Sequence, residues 1–271
     1  MNRVERLQAR FEATTARWWF FLLIVFIQLL PPVTTVRYDY SKTGQVIHAI
    51  LRHLYLTEAL WLRVSYPAWK MLAIIMLVGL IVFRNRWARA FSVYAAMIYA
   101  VMAVVQSVSK TPELGVGIVT NNLVMFLMVS LAWVWEAIVL RTDYQSWRRR
   151  AGQYWVLPAA ALAFWYPLNW RTLAPDFNPV YIFTSMSGIA FGLLTPVIVA
   201  LLIMSWPRVN LVTMRVTSLV GFIIGLYNIQ ANFAFAPERT WWNGVLHIPL
   251  LTISLYGLIL SYRGVRKRTA E

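Results

Sequence analysis

The chain of 271 residues contains no cysteine, only 10 acidic residues and only 3 histidines. Without cysteine there are no disulfides, zinc–thiolate sites, iron–sulfur clusters or thiol catalysis, since each needs a thiolate or its oxidised pair. The redox compartment therefore goes unread. What is missing in charge is made up in apolar content: 60% of residues are hydrophobic and 13% charged, with 14 Trp, 13 Tyr and 14 Phe. A water-soluble domain carries about 45–50% apolar and about 25% charged residues, so this composition excludes one. No Gly-rich phosphate loop, nucleotide motif, low-complexity tract or separate soluble domain interrupts the chain.

Eight apolar runs, 18–33, 66–83, 90–109, 115–140, 155–170, 179–206, 210–233 and 241–262, alternate with short basic tethers. Each approaches the roughly 20 residues that a helix needs to cross a bilayer. The sequence thus predicts an all-α, polytopic integral membrane bundle of about eight transmembrane helices, a single multi-pass domain over 1–271. Pro31 and Pro32 follow the first run in place of a small-residue cleavage site, and charged residues extend over the 17 positions before it. That pattern reads as a retained helix rather than a signal peptide.

Lys+Arg 25 against Asp+Glu 10 gives a net charge of +15, which in a soluble protein would point to nucleic acid. Here the cations sit on tethers with no domain around them, and no nucleic-acid partner is expected. With a cytoplasmic N-terminus, 17 of the 25 basic residues fall on the inside, among them Arg84, Arg86, Arg89, Arg148, Arg149 and Arg150. The positive-inside rule then puts both termini in the cytoplasm of a cell membrane, with 1–17 a basic cytoplasmic segment and 263–271 a basic tail. Of the outer cations, Arg37, Lys42, Arg52, Arg63 and Lys70 lie in or beside the loop 37–65. Within that loop, 45–63 places Val46, Ile50, Leu54 and Trp61 near one stripe, which suits an amphipathic helix lying in the interface. His48 and His53 are five residues apart, ~500° of helical turn, so they do not share a face and no metal site is expected. Nothing in the sequence implies a cofactor. Pro67, Pro112, Pro179 and Pro237 open the runs that enter from outside, and Glu113, Asp176 and Glu238 near them read as helix-start signals.

Polar residues inside apolar runs are costly in hydrocarbon unless they are paired or line a cavity. Gln106, Thr120, Asn121, Asn122, Thr184, Ser185, Asn228 and His247 all lie one to two turns from the outer ends of five different runs. The inner halves hold few equivalents; Glu136 is placed to snorkel or to pair with Arg141 or Arg215. The amides and hydroxyls either hydrogen-bond helix to helix, at about 0.6–2 kcal/mol each, or form an outer-leaflet pocket. In the pocket reading Gln106, Asn121, Asn122, Thr184, Ser185 and Asn228 bind a lipid-like or other amphiphilic ligand, and His247 is a candidate for function as the one histidine in a spanning run. No ionisable group stands near a midplane, which argues against ion-coupled transport.

Thr120, Asn121 and Asn122 open one run, and Gly192, Leu193, Leu194, Thr195 and Pro196 follow in another. In these features the last six runs resemble the six-helix membrane hydrolases of the androgen-induced-gene (FAR-17a) type. The resemblance implies that Thr120 corresponds to the family's threonine nucleophile. It also implies a histidine about four residues before the proline, where this chain has Gly192. His247 would then have to serve as the base that takes the Thr120 proton, in hydrolysis of an ester near the headgroups. The functional expectation is binding or processing of an amphiphile, in contact with membrane lipids. A non-catalytic scaffold or subunit with a membrane-protein partner is the alternative, and an uncoupled transporter component the second.

Because the natural chain has no cysteine, topology can be read cleanly from single cysteines. Tags at Met1 and Glu271 are expected to report cytoplasm, and a cysteine at Asp176 to react with an impermeant reagent from outside. Labelling of that cysteine only after permeabilisation would reverse the orientation.

Overall fold

The computed structural model describes residues 3–145, 147, 151–235 and 237–268. In chain order its helices are α1 Arg3–Thr15, α2 Trp18–Ile27, α3 Thr43–Arg52, α4 Tyr55–Glu58, α5 Leu60–Val64, α6 Tyr66–Phe83, α7 Ala88–Val105, α8 Thr120–Val139, α9 Val156–Trp165, α10 Tyr181–Thr184, α11 Phe191–Ser205, α12 Leu211–Gln230 and α13 Pro237–Arg268. Among the described residues, five helices are long and apolar enough to cross a membrane: α6, α7, α8, α12 and α13. α2, α9 and α11 are apolar but shorter. The protein is therefore largely helical and consistent with a polytopic membrane bundle. The tail 263–271 reaches beyond the described residues, and α13 ends the described chain.

α11 is the central helix, with every side chain but Val197 buried. Phe91, Tyr99 and Trp133 from its neighbours are fully enclosed, as is its own Phe191, whose ring stacks on that of Phe126 with centroids 4.2 Å apart. α12 and α13 approach so closely that a Cβ on Gly225 would lie 2.9 Å from the Leu251 Cα. Small residues at such an interface let backbones meet, which is how apolar helices associate without help from water.

Three expectations are corrected. The runs 90–109 and 115–140 do not stay helical to their ends: strands β2 (Val108–Thr111) and β3 (Gly115–Ile118) form an antiparallel hairpin, with β1 (Val33–Thr34) on the other edge of β3. β-Branched residues with period-2 burial on β2 favour the pleated form there over a last helical turn. The run 179–206 is broken into α10, a 3₁₀ turn at Met186–Gly188 and α11. The outer amphipathic helix is three short helices, α3 to α5; Val46 and Ile50 of its stripe pack with Val119, while Trp61 is 65% exposed.

The hairpin marks one end of the bundle, and α1 closes the other. Gln8 Nε2 of α1 donates to Asn210 Oδ1 at 3.0 Å, and Asn210 Nδ2 donates to Glu136 Oε2 at 2.7 Å. The Thr142 backbone N–H meets the other Glu136 oxygen at 2.9 Å. Glu136 is thus satisfied by neutral donors, not by Arg141 or Arg215 side chains, because its helix ends there and the turn that follows presents its own N–H. Arg215, fully buried, donates to Thr15 Oγ1 at 2.6 Å and to the Glu12 and Ser261 carbonyls at 3.3 Å. Arg3–Thr15 thus form a helix that docks on the bundle through the buried side chains of Gln8 and Thr15.

Asn210→Ala removes a donor from a buried carboxylate and an acceptor from Gln8, at a cost of about 1–3 kcal/mol. Thermal unfolding in detergent is expected at a lower temperature, and limited trypsin digestion after Arg10 to accelerate. An unchanged cleavage rate would show that α1 is held elsewhere.

Candidate functional site

Where α9 stops at Trp165, the chain turns through Tyr166 in the left-handed region (φ 56°) and leaves an open space beside α5, α6 and α10. This cavity, about 700 Å³, is lined among others by Glu58, Leu60, Arg63, Tyr66, Tyr166, Trp170, Tyr181, Ser185 and Met186. Its size and largely apolar wall with a few polar groups are those of a small-molecule site.

Behind Ser185 lies Lys70, fully buried one turn into α6. The ammonium donates to the Phe164 carbonyl, to Ser185 Oγ at 3.0 Å and to Ser187 Oγ, and sits 3.7 Å from the centre of the Phe164 ring. Three protons thus meet three oxygens. The last carbonyls of a helix have no partner within it, and a cation there complements the negative end of the dipole, so Lys70 finishes α9 from outside. Gly188 makes this possible: a Cβ there would fall 2.6 Å from the Lys70 backbone nitrogen. Only glycine lets the 3₁₀ turn lie on α6 and bring Ser185 and Ser187 to the ammonium. Both serine protons point to the same helix end, Ser185 to the Trp165 carbonyl at 3.2 Å and Ser187 to that of Phe164 at 2.5 Å.

Of the residues singled out in the sequence, Thr184 and Ser185 line this cavity. The others hold helix ends and neighbours. Gln106 donates to the Ile189 carbonyl at 2.9 Å and accepts the Phe191 N–H at 3.1 Å, capping α11. Thr120 Oγ1 donates to the Pro31 carbonyl at 2.8 Å, and Asn121 Nδ2 to Gln28 Oε1 at 3.3 Å. The Asn122 backbone N–H donates to Asn121 Oδ1 at 2.9 Å, and Asn228 Nδ2 to the Ile224 carbonyl of its own helix at 2.9 Å.

His247 Nδ1 is 2.8 Å from the Asn243 carbonyl one turn earlier, and a Cβ on Gly192 would lie 2.8 Å from its Nε2. The imidazole therefore fills the space that a side chain at position 192 would take. The structure forms no hydrogen bond between His247 and Thr120. A chain of amides joins this region to the cavity: Asn243 Nδ2 donates to Asn232 Oδ1 at 2.9 Å, and Tyr166 Oη donates to Asn243 Oδ1 at 2.9 Å.

Sequence reasoning missed Lys70 as part of a site, because a cation one turn from a helix start counts as loop charge. The available signal was its place inside the run 66–83. Comparison of the chain with protein-family models, with curated proteins and with solved structures finds no match in any of the three.

Ser187→Ala leaves the buried ammonium one acceptor short and should lower stability by about 1–3 kcal/mol. With Lys70→Met already in place, the same serine change should cost less than half as much, since no charge is then left unmet. Equal costs in both backgrounds, measured by thermal unfolding, would show the two side chains to be uncoupled.

Proposed function

We propose that the eight apolar helices cross the bilayer with both termini cytoplasmic, and that the cavity beside α5, at the outer end, binds a lipid-like amphiphile. The observation that carries this reading is the cavity's rim. Leu60 and Val64, both lining it, are each 70% exposed, and Trp61 between them is 65% exposed. Large apolar side chains so bare at a cavity mouth suit a surface that meets lipid, with Trp at headgroup level. An acyl chain entering past them would find Leu168, Leu173 and Met186, while Tyr66, Tyr166, Tyr181 and Ser185 offer polar contacts to a headgroup.

Binding fits this site better than hydrolysis does. Lys70 spends its protons on three oxygens and both serines spend theirs on carbonyls, so no free base faces a hydroxyl. The Thr120 proton is likewise held by Pro31. Ester hydrolysis through Thr120 and His247, the version implied by the resemblance, would require those contacts to exchange.

Mass spectrometry of protein purified in mild detergent is expected to find a co-purified amphiphile, and Met186→Trp, which adds bulk to the cavity wall, to reduce its yield about fivefold or more. Undiminished yield in the filled variant would place the ligand elsewhere. Absence of any ligand together with a tightly held protein partner would favour a scaffold.

A further inference from the structure

Resting on the amphiphile reading, the charges around the cavity define the headgroup. We propose that the cavity selects amphiphiles with an acidic headgroup, a carboxylate or phosphate, held by Arg63 of the cavity wall and by Arg171 on the same Trp170 ring, with Lys70 buried behind Ser185.

Three observations converge. First, the acceptors around Lys70 are all neutral oxygens, and no carboxylate is bound to it among the described residues. The end of α9 offsets only about half a charge. Ser185 joins the ammonium to the cavity, since its Oγ accepts from Lys70 Nζ and the same residue lines the cavity. Second, the guanidinium carbons of Arg63 and Arg171 each lie 5.0 Å from the centre of the Trp170 ring. Stacking occupies the faces of a guanidinium and leaves its in-plane N–H groups for a planar or tetrahedral anion. Neither guanidinium has a hydrogen-bond partner among the described residues. Third, the opposing carboxylates are few. Glu58 is the one acid that lines the cavity, and nearby Asp176 already accepts Tyr181 Oη at 2.6 Å and the Asn178 N–H at 3.2 Å. The Trp170 ring, which already carries two cations, is a poor host for a quaternary ammonium headgroup.

The test uses the full chain in mild detergent and a palmitate bearing a diazirine on its chain. Cross-linked peptides are mapped by mass spectrometry, and labelling of 60–66, 166–173 and 181–186 is competed by amphiphiles of one chain length. Palmitate and palmitoyl lysophosphatidate should compete at about tenfold lower concentration than palmitoylglycerol, with palmitoylcholine weakest. Butyrate, a carboxylate without the long chain, should not compete at these concentrations. Lys70→Met and Arg63→Gln should each shrink the acidic preference, read as the ratio of the palmitate and palmitoylglycerol competing concentrations, to about threefold or less. Should Lys70→Met misfold because Lys70 also caps α9, Arg63→Gln and Arg171→Gln read the same preference.

Equal competition by all four headgroups, or a preference that survives the variants, would overturn the acidic-headgroup assignment and leave amphiphile binding standing. Butyrate competing as well as palmitate would replace it with a free-anion site. No saturable labelling of the three cavity peptides would remove the amphiphile reading itself.

Discussion

The constraint behind most of this structure is that a helix ending inside an apolar layer leaves backbone groups with nothing to bond. At about 1.5 Å per residue, the ten residues of α2 and of α9 and the fifteen of α11 fall short of the ~30 Å hydrocarbon thickness. The hairpin-side ends of α9 and α11 are completed by side chains from longer neighbours, and that of α2 by its own Gln28 together with α8. Lys70 of α6 serves α9. Gln106, just past α7, serves α11. Thr120 of α8 takes the Pro31 carbonyl beyond α2, while Gln28 at the end of α2 donates to its own Ile24 carbonyl and accepts from Asn121.

This accounts for the one-sided polarity that the sequence displays. Polar residues cluster toward the hairpin end because the short helices stop there. A pocket is then a by-product of the same shortfall: α9 halts at Trp165, α10 lasts four residues, and the space between them is not filled by helix. At the opposite end α1 folds over the bundle, and Gln8, Asn210 and Glu136 bond their polar groups to one another.

Composition and run length make the helical membrane bundle legible, because burial in lipid demands long unbroken apolar stretches and little else produces them. They do not reveal where a run changes form. Val108 and Ser109 close one apolar run and Gly115–Ile118 opens the next, and only pairing between the two segments and with Val33–Thr34 makes them strands. The site was half legible for a similar reason. Thr184 and Ser185 stand out as hydroxyls in an apolar run, but the residue that Ser185 meets comes from α6, over a hundred positions earlier. Contact between distant segments carries no periodicity. Glu136 shows the converse case: a carboxylate near arginines in sequence finds its partners in Asn210 and a backbone N–H instead.

Why a lysine should finish α9 is the remaining physical question. Neutral donors can satisfy buried carbonyls, as the amides of Gln106 and Gln28 do elsewhere in this fold. A cation in their place carries a desolvation cost that a buried hydrogen-bonded group rarely recovers as stability. In membrane segments the centre-of-helix penalty for lysine is about 2.5–3.5 kcal/mol, so such residues commonly mark function. Ser187 and the Phe164 carbonyl explain how the charge is tolerated, but not what it accomplishes. Only Ser185, among the side chains hydrogen-bonded to the ammonium, also faces the cavity. That one contact is where the capped end of α9 meets the cavity, whose wall also carries Arg63 over the Trp170 ring. Capping therefore fixes where Lys70 sits, and through Ser185 the buried cap and the cavity wall depend on each other.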